Sequence, residues 1–145
     1  MRLASTKSIA AVLLTLVVMT GLGACRPTGD LRCDQLVRPV ARASALGYEV
    51  RCDATFSGTS SAGQNVLGWT DHKTQTIWLW PDKMTDDRVL RKVAWHEVGH
   101  VVWERRDYSG PQSNEERWAD GYAYCAEPIK GVSYANRPTD CSPFR

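Results

Sequence analysis

Apolar and polar positions alternate in ways that divide the chain into an apolar leader, a helix, three extended runs and two further helices. Residues 8–24 read SIAAVLLTLVVMTGLGA and are almost wholly apolar. Over 34–46 the apolar residues Leu36, Val40, Ala43 and Leu46 recur at spacings of three and four, which predicts a helix with one buried side. Pro39 either kinks that helix or starts it, and Gly47 is a plausible C-terminal stop. YEVRCDATF has strand-forming residues, GTSSAG is a loop, and NVLGWTD and TQTIWLWP predict two strands around a turn at Asp71-His72-Lys73. Pro81 ends the last strand and suggests that it lies near an edge. A long helix over 86–105, capped by Thr85 or Asp86, presents Leu90, Val93, Ala94, Val98, Val101 and Val102 on a broad apolar side. DYSGPQS breaks it. A second helix over 113–126 follows, and Pro128 stops it. The tail is rich in Gly, Pro, Asn and Ser and would be loose without Cys141. The order of elements predicts an α+β domain, with a small antiparallel or mixed sheet packed on the two later helices.

The leader changes the reading of charge and compartment. Arg2 and Lys7 precede the apolar run, and small residues end it, as in a secretory signal over 1–24. Leu22-Gly23-Ala24-Cys25 resembles the lipobox of bacterial lipoproteins, in which the cysteine becomes a lipidated N-terminus. The alternative is ordinary cleavage near Ala24 that leaves Cys25 free. Residues 25–32 then form a tether. Without Arg2 and Lys7, the remaining basic residues of the 18 Lys and Arg equal the 16 Asp and Glu in number. A neutral body gives no reason to expect nucleic acid as a partner. Membrane contact is expected only through the N-terminal lipid, and the domain is expected to be a monomer. About 120 residues suffice for one domain, 33–145, with one core.

Four cysteines remain in that body, and an even number in an exported chain suggests two disulfides. The pairs Cys33–Cys52 and Cys125–Cys141 are expected, because each closes a short loop at one end of the domain. No CxxC pair suggests a zinc ribbon.

The chemistry concentrates in AWHEVGHVVW, residues 94–103, which holds two of the three histidines. On a helix, positions i and i+4 point the same way, so His96 and His100 can face one ion. Glu97 lies about 100° around the helix from His96 and can reach a metal-held water without ligating the metal. That is the physical content of HExxH, a zinc pattern. The competing view is a pair of core histidines satisfied by hydrogen bonds. Catalytic zinc usually has a third protein ligand. Six residues after His100 stands Arg106, so the metzincin pattern is absent. The second helix is the better source, because Glu116, Ala119, Asp120 and Ala123 share a face and the two alanines permit close approach. Glu116 would complete a His-His-Glu site, and Asp120 would hold the far nitrogen of a zinc histidine. Alternatively, Glu116 turns back to its own helix start as a capping box with Ser113, and Asp120 ligates directly. Glu115 would face elsewhere, in solvent. Trp95, Trp103, Trp118, Tyr122 and Tyr124 read as packing between helices.

HExxH followed by a helix bearing Glu-x-x-x-Asp resembles the gluzincin metallopeptidases, in which the Glu is the third ligand and the Asp supports a ligand from behind. HEVGH with Glu116-x-x-Ala119-Asp120-x-Tyr122-Ala123, and a proline soon after, also resembles the ImmA/IrrE-type peptidases, with HELGH and ExxAxxFA. The match covers residues 94–128. It implies a minimal zincin-like metallopeptidase domain over 33–145, with zinc as cofactor, a peptide or protein as substrate and Glu97 as general base for a zinc-activated water. The lipobox and the disulfides depart from the intracellular ImmA/IrrE pattern, so a repressor substrate does not carry over. Gluzincins often add a Tyr or His to stabilise the oxyanion, and Tyr108 and His72 are the candidates. TIWLWP would bind an extended peptide by edge pairing. The rival reading is a non-catalytic envelope lipoprotein, a binding module whose zinc site is structural or vestigial.

Overall fold

The computed structural model describes residues 32–52, 66–108 and 112–145. The leader, Cys25, the tether before Arg32, the GTSSAG loop and the far end of YEVRCDATF lie outside the described residues.

The architecture is α+β. Its elements are α1 (Val37–Ala45), β1 (Glu49–Cys52), β2 (Gly68–Asp71), β3 (Thr76–Leu79), α2 (Asp87–Arg105) and α3 (Gln112–Ala126). Short 3-10 turns precede α1, follow β3 and end the chain. The sheet is mixed, in the order β1-β3-β2, with β1 parallel and β2 antiparallel to β3.

Each helix follows from its local chemistry. Pro39 sits in the first turn of α1, where its missing N–H breaks no helical hydrogen bond. The helix starts just before it and is not kinked there. Leu46 and Gly47 close α1 by donating to the carbonyls of Ala43 and Ser44. Leu36 and Ala43 are buried, and Val40 and Leu46 pack half-buried on the same core. Asp86 caps α2 by accepting from the amide of Arg88 at 2.8 Å. All six apolar residues expected on one side of α2 are buried, with Leu90, Val98 and Val101 fully so. Burial of each such side chain contributes about 1.5–3 kcal/mol.

Asp71 makes the β2–β3 turn, accepting from the amides of Lys73 and Thr74 and from the Thr74 hydroxyl. Register then sorts the faces. Thr70 lies opposite Ile77, and Gly68 opposite Leu79, on the face turned to α2. Trp69 lies opposite Trp78 on the other face, where the Arg51 guanidinium sits 5.3 Å from the Trp78 ring.

The edge position expected for the strand before Pro81 is wrong. β3 is the central strand, paired on both sides. Pro81 lies beyond the ladder, at the start of a 3-10 turn, so its missing N–H costs no strand pairing. TIWLWP therefore has no free edge for a peptide, and the described edge strands are β1 and β2.

Both expected disulfides are present. Cys33–Cys52 ties the turn before α1 to the end of β1, and Cys125–Cys141 ties the end of α3 to the tail. Each is worth about 3 kcal/mol through restriction of the unfolded chain. The tail is held by more than Cys141. Val132 and Tyr134 are buried, the Tyr134 hydroxyl donates to the Glu127 carbonyl, and Asn136 donates to the Arg117 carbonyl.

Candidate metal centre

α2 and α3 pack closely because small residues face each other. A Cβ on Gly99, the glycine of HEVGH, would lie 2.7 Å from the Ala119 Cα. Ala119 and Ala123 are fully buried. This seam brings the polar residues of the two helices together.

His96 and His100 face one another with ring centroids 4.9 Å apart. Their Nε2 atoms are 3.2 Å apart. Glu116 Oε2 lies 3.1 Å from His96 Nε2, and Glu116 Oε1 lies 3.7 Å from His100 Nε2. One ligand atom from each residue falls within a 4.8 Å group. Zinc bonds of about 2.0–2.1 Å in tetrahedral geometry set ligand atoms about 3.3 Å apart. The observed separations, two of them to different Glu116 oxygens, lie near that edge length, so the three residues could hold a metal ion. The Glu116 carboxylate lies against the imidazoles, which disfavours the capping-box alternative. Asp120 is not in the ligand group, because it contacts His96 from behind, at Nδ1.

Two carboxylates fix the tautomers. A carboxylate only accepts, so His96 Nδ1 donates to Asp120 Oδ1 at 2.9 Å, and His100 Nδ1 donates to Glu115 Oε1 at 2.7 Å. In the neutral imidazole each Nε2 then carries the lone pair, the form a metal needs. Asp120 is buried and joins two further groups to the centre's rear: Lys92 Nζ at 2.6 Å and the Ala135 amide of the tail. Burial alone would raise its pKa, but hydrogen bonds from His96, Lys92 and Ala135 lower it far below the usual carboxylate range. Burial alone would likewise lower the pKa of His96. The Asp120 and Glu116 hydrogen bonds, with the charge of Glu97, outweigh it and raise His96 to about 9. Glu115 and Glu116 are both lowered, chiefly by their hydrogen bonds with His100 and His96.

Glu97 meets β2 rather than α3. It is buried, and the Thr70 hydroxyl donates to its Oε2 at 2.8 Å, with the Glu97 carbonyl oxygen at 3.1 Å from the same hydroxyl. β2 comes so close that a Cβ on Gly68 would lie 2.6 Å from Glu97 Oε1. Only a glycine leaves room for the carboxylate there.

Glu115 is a correction: it was expected in solvent, yet it supports His100. Its place beside Glu116 on α3 carried no sign of that. Thr70 was also unforeseen, because a strand residue paired across the sheet gives no local signal of a helix partner. Lys92 stands four residues before His96, so helical spacing put it on the same face, and only its partner was invisible. The two oxyanion candidates have partners of their own, though the charge of His72 helps to lower the pKa of Glu115. His72 Nδ1 is hydrogen-bonded to the Tyr48 hydroxyl at 2.8 Å, and Tyr108 stacks with Trp103 and Trp118 at 4.9 and 5.7 Å between centroids. Among the described residues neither touches His96, His100 or Glu116. Trp95–Tyr122 and Trp103–Trp118 pack between α2 and α3 as expected, whereas Trp118–Tyr122 runs along α3 and Tyr124 packs on Tyr134 of the tail.

Compared with protein-family models, curated proteins and solved structures, the chain finds no match.

Proposed function

We propose that the chain is a zinc metallopeptidase with a minimal zincin-like fold, exported and held to the cell envelope by lipid on Cys25. The observation that carries this is the arrangement about α2: ligand atoms of His96, His100 and Glu116 fall within 4.8 Å of one another, and the charge of Glu97 acts on His96 although Glu97 is outside that group. A site that only stabilises the fold has no use for that extra carboxylate. Bound zinc would act as a Lewis acid and lower the pKa of a water molecule towards about 7.

The chain's own groups would do the rest. His96 and His100 present Nε2 lone pairs because Asp120 and Glu115 hold the Nδ1 protons. Glu116 supplies a negative charge that partly balances the ion. Glu97 takes the proton of the water as it attacks a peptide carbonyl, and then passes that proton to the leaving amine. Lys92 and the Ala135 amide hold Asp120 ionised, so the rear of His96 stays fixed throughout.

The second reading is a non-catalytic envelope lipoprotein whose zinc is structural. One observation favours it: the contacts of Tyr108 and His72 are with Trp103, Trp118 and Tyr48, so neither is an obvious oxyanion donor among the described residues. Zinc titration of wild type and Glu97→Gln, followed by a general peptidase assay, separates the two. Hydrolysis by zinc-loaded wild type and its loss in the variant are expected. A wild type that holds zinc and cleaves nothing across a broad peptide library, while an envelope partner binds wild type and variant alike, would establish the binding protein instead.

A further inference from the structure

Glu97 has an arrangement that the zinc-binding residues do not explain. A buried carboxylate has two oxygens to satisfy. Oε2 receives the Thr70 hydroxyl at 2.8 Å. Oε1 is not the oxygen that Thr70 bonds, and it lies beneath Gly68 where a side chain is missing. The donor sits on a rigid element. Thr70 is mid-strand in β2, paired with Ile77 of β3, and threonine has few side-chain rotamers. A group placed on a strand is held more closely than one on a loop. The same hydroxyl lies 3.1 Å from the Glu97 carbonyl, so its single proton sits between two acceptors of the residue it orients, closer to Oε2.

We propose that Thr70 is a positioning residue for the general base, occupying Glu97 Oε2 so that Oε1 alone accepts the proton. The idea rests on the peptidase reading. The step itself is a simple transfer: the O–H bond of the attacking water breaks, a proton settles on Oε1, and the same proton later leaves to the amine. Without Thr70 the carboxylate turns about its last bond, and the accepting oxygen is no longer fixed. Gly68 has the complementary part, since any side chain there would push the carboxylate away from Thr70.

The test uses the full chain loaded with zinc. Thr70→Val keeps the shape and removes the donor, and Thr70→Ser keeps the donor. Thr70→Val should lower kcat about 10–100-fold with KM changed less than about threefold, the scale of a misplaced catalytic group. Zinc content and the thermal midpoint should stay close to wild type. Thr70→Ser should recover most of the rate. In a Glu97→Gln background Thr70→Val should lower the rate no further, because its effect runs through that carboxylate. A readout apart from turnover is the affinity of a small zinc-chelating hydroxamate, whose hydroxyl needs a fixed carboxylate acceptor. It should weaken about tenfold in Thr70→Val and hold in Thr70→Ser. Wild-type kcat and hydroxamate affinity in Thr70→Val would overturn the proposal, and so would a Thr70→Ser variant as impaired as Thr70→Val. If wild type binds zinc and hydroxamate but cleaves no peptide, the peptidase reading falls. The hydroxamate contrast between the Val and Ser variants still decides the role of Thr70.

Discussion

On one side of α2, His96 and His100 meet α3 through a seam of small residues and four carboxylate contacts. On another side, Glu97 meets β2 through a single hydroxyl and the space of one missing side chain. The two sides differ in what sets them. The seam depends on helical spacing, which repeats along the chain and tolerates small shifts. The β2 contact depends on strand register, where a slip of one residue would turn Thr70 to the wrong face and bring Trp69 against Glu97. The seam should therefore govern whether metal is held, and the β2 contact whether a held metal is used.

Removing a proposed ligand makes the largest break. His96→Ala and His100→Ala should each reduce zinc from one equivalent to near none at stoichiometric metal, measured by elemental analysis after gel filtration. Full occupancy in both variants would end the metal-centre reading. Each variant should stay folded, because the disulfides and the α2 core lie away from the seam's polar end.

Glu97→Gln comes next and should act in the opposite sense. Zinc affinity should change little, and peptide hydrolysis should fall roughly 10²–10⁴-fold, the usual worth of a positioned acid–base group. Glutamine keeps one acceptor oxygen for Thr70, so the packing under β2 is conserved. A variant that loses its zinc would make Glu97 a ligand and collapse the distinction between the two sides.

The same contrast explains what the sequence could and could not disclose. Helix periodicity made the buried side of α2 legible residue by residue, and the i, i+4 histidines with it. Ala119 and Ala123 announced the close seam, and through it Glu116 and Asp120. Cysteine spacing was enough for both disulfides. Strand order was not legible, because Pro81 looks the same at a sheet edge and one residue past the end of a central strand. The partners of Glu97 were hidden for the same reason: Gly68 and Thr70 acquire meaning only once β2 is laid beside β3 and pressed on α2. Glu115 was misread because its partner, His100, lies on another helix, and nothing local to α3 names it. The tail was underrated because its anchors, Ala135 to Asp120 and Asn136 to Arg117, are single polar contacts without periodicity.

A smaller effect should come from the rear of the seam. Asp120→Asn removes a charge from behind His96 and also deprives Lys92 of its 2.6 Å partner. Zinc affinity should weaken about 10–100-fold, the usual cost of losing such support. Once saturated with zinc, the variant should hydrolyse peptide at a rate close to wild type, since Glu97 and Thr70 are untouched. A rate loss at full zinc occupancy as deep as that of Glu97→Gln would mean that the two sides are not separable.

The smallest effect is a pH dependence, and its sign follows from His96. In the metal-free chain its pKa is raised from 6.5 to about 9. A raised value means that the bound proton stabilises the fold below pH about 6.5, and that this contribution is lost as pH rises through about 9. Zinc needs the Nε2 lone pair and must displace that proton. Apparent zinc affinity should therefore rise with pH, by up to about tenfold per unit between pH 6.5 and 9. Over the same window the metal-free chain should lose thermal stability, so the midpoints of zinc-bound and metal-free protein should move apart. Competition titrations with a chelator of known pH dependence measure the first trend, and thermal scans measure the second. Asp120→Asn should flatten both, because it removes the first of the two hydrogen bonds that hold His96 protonated. Thr70→Val, on the other side of α2, should leave both unchanged. A flat affinity from pH 6.5 to 9 in wild type would show that His96 carries no extra proton before zinc arrives.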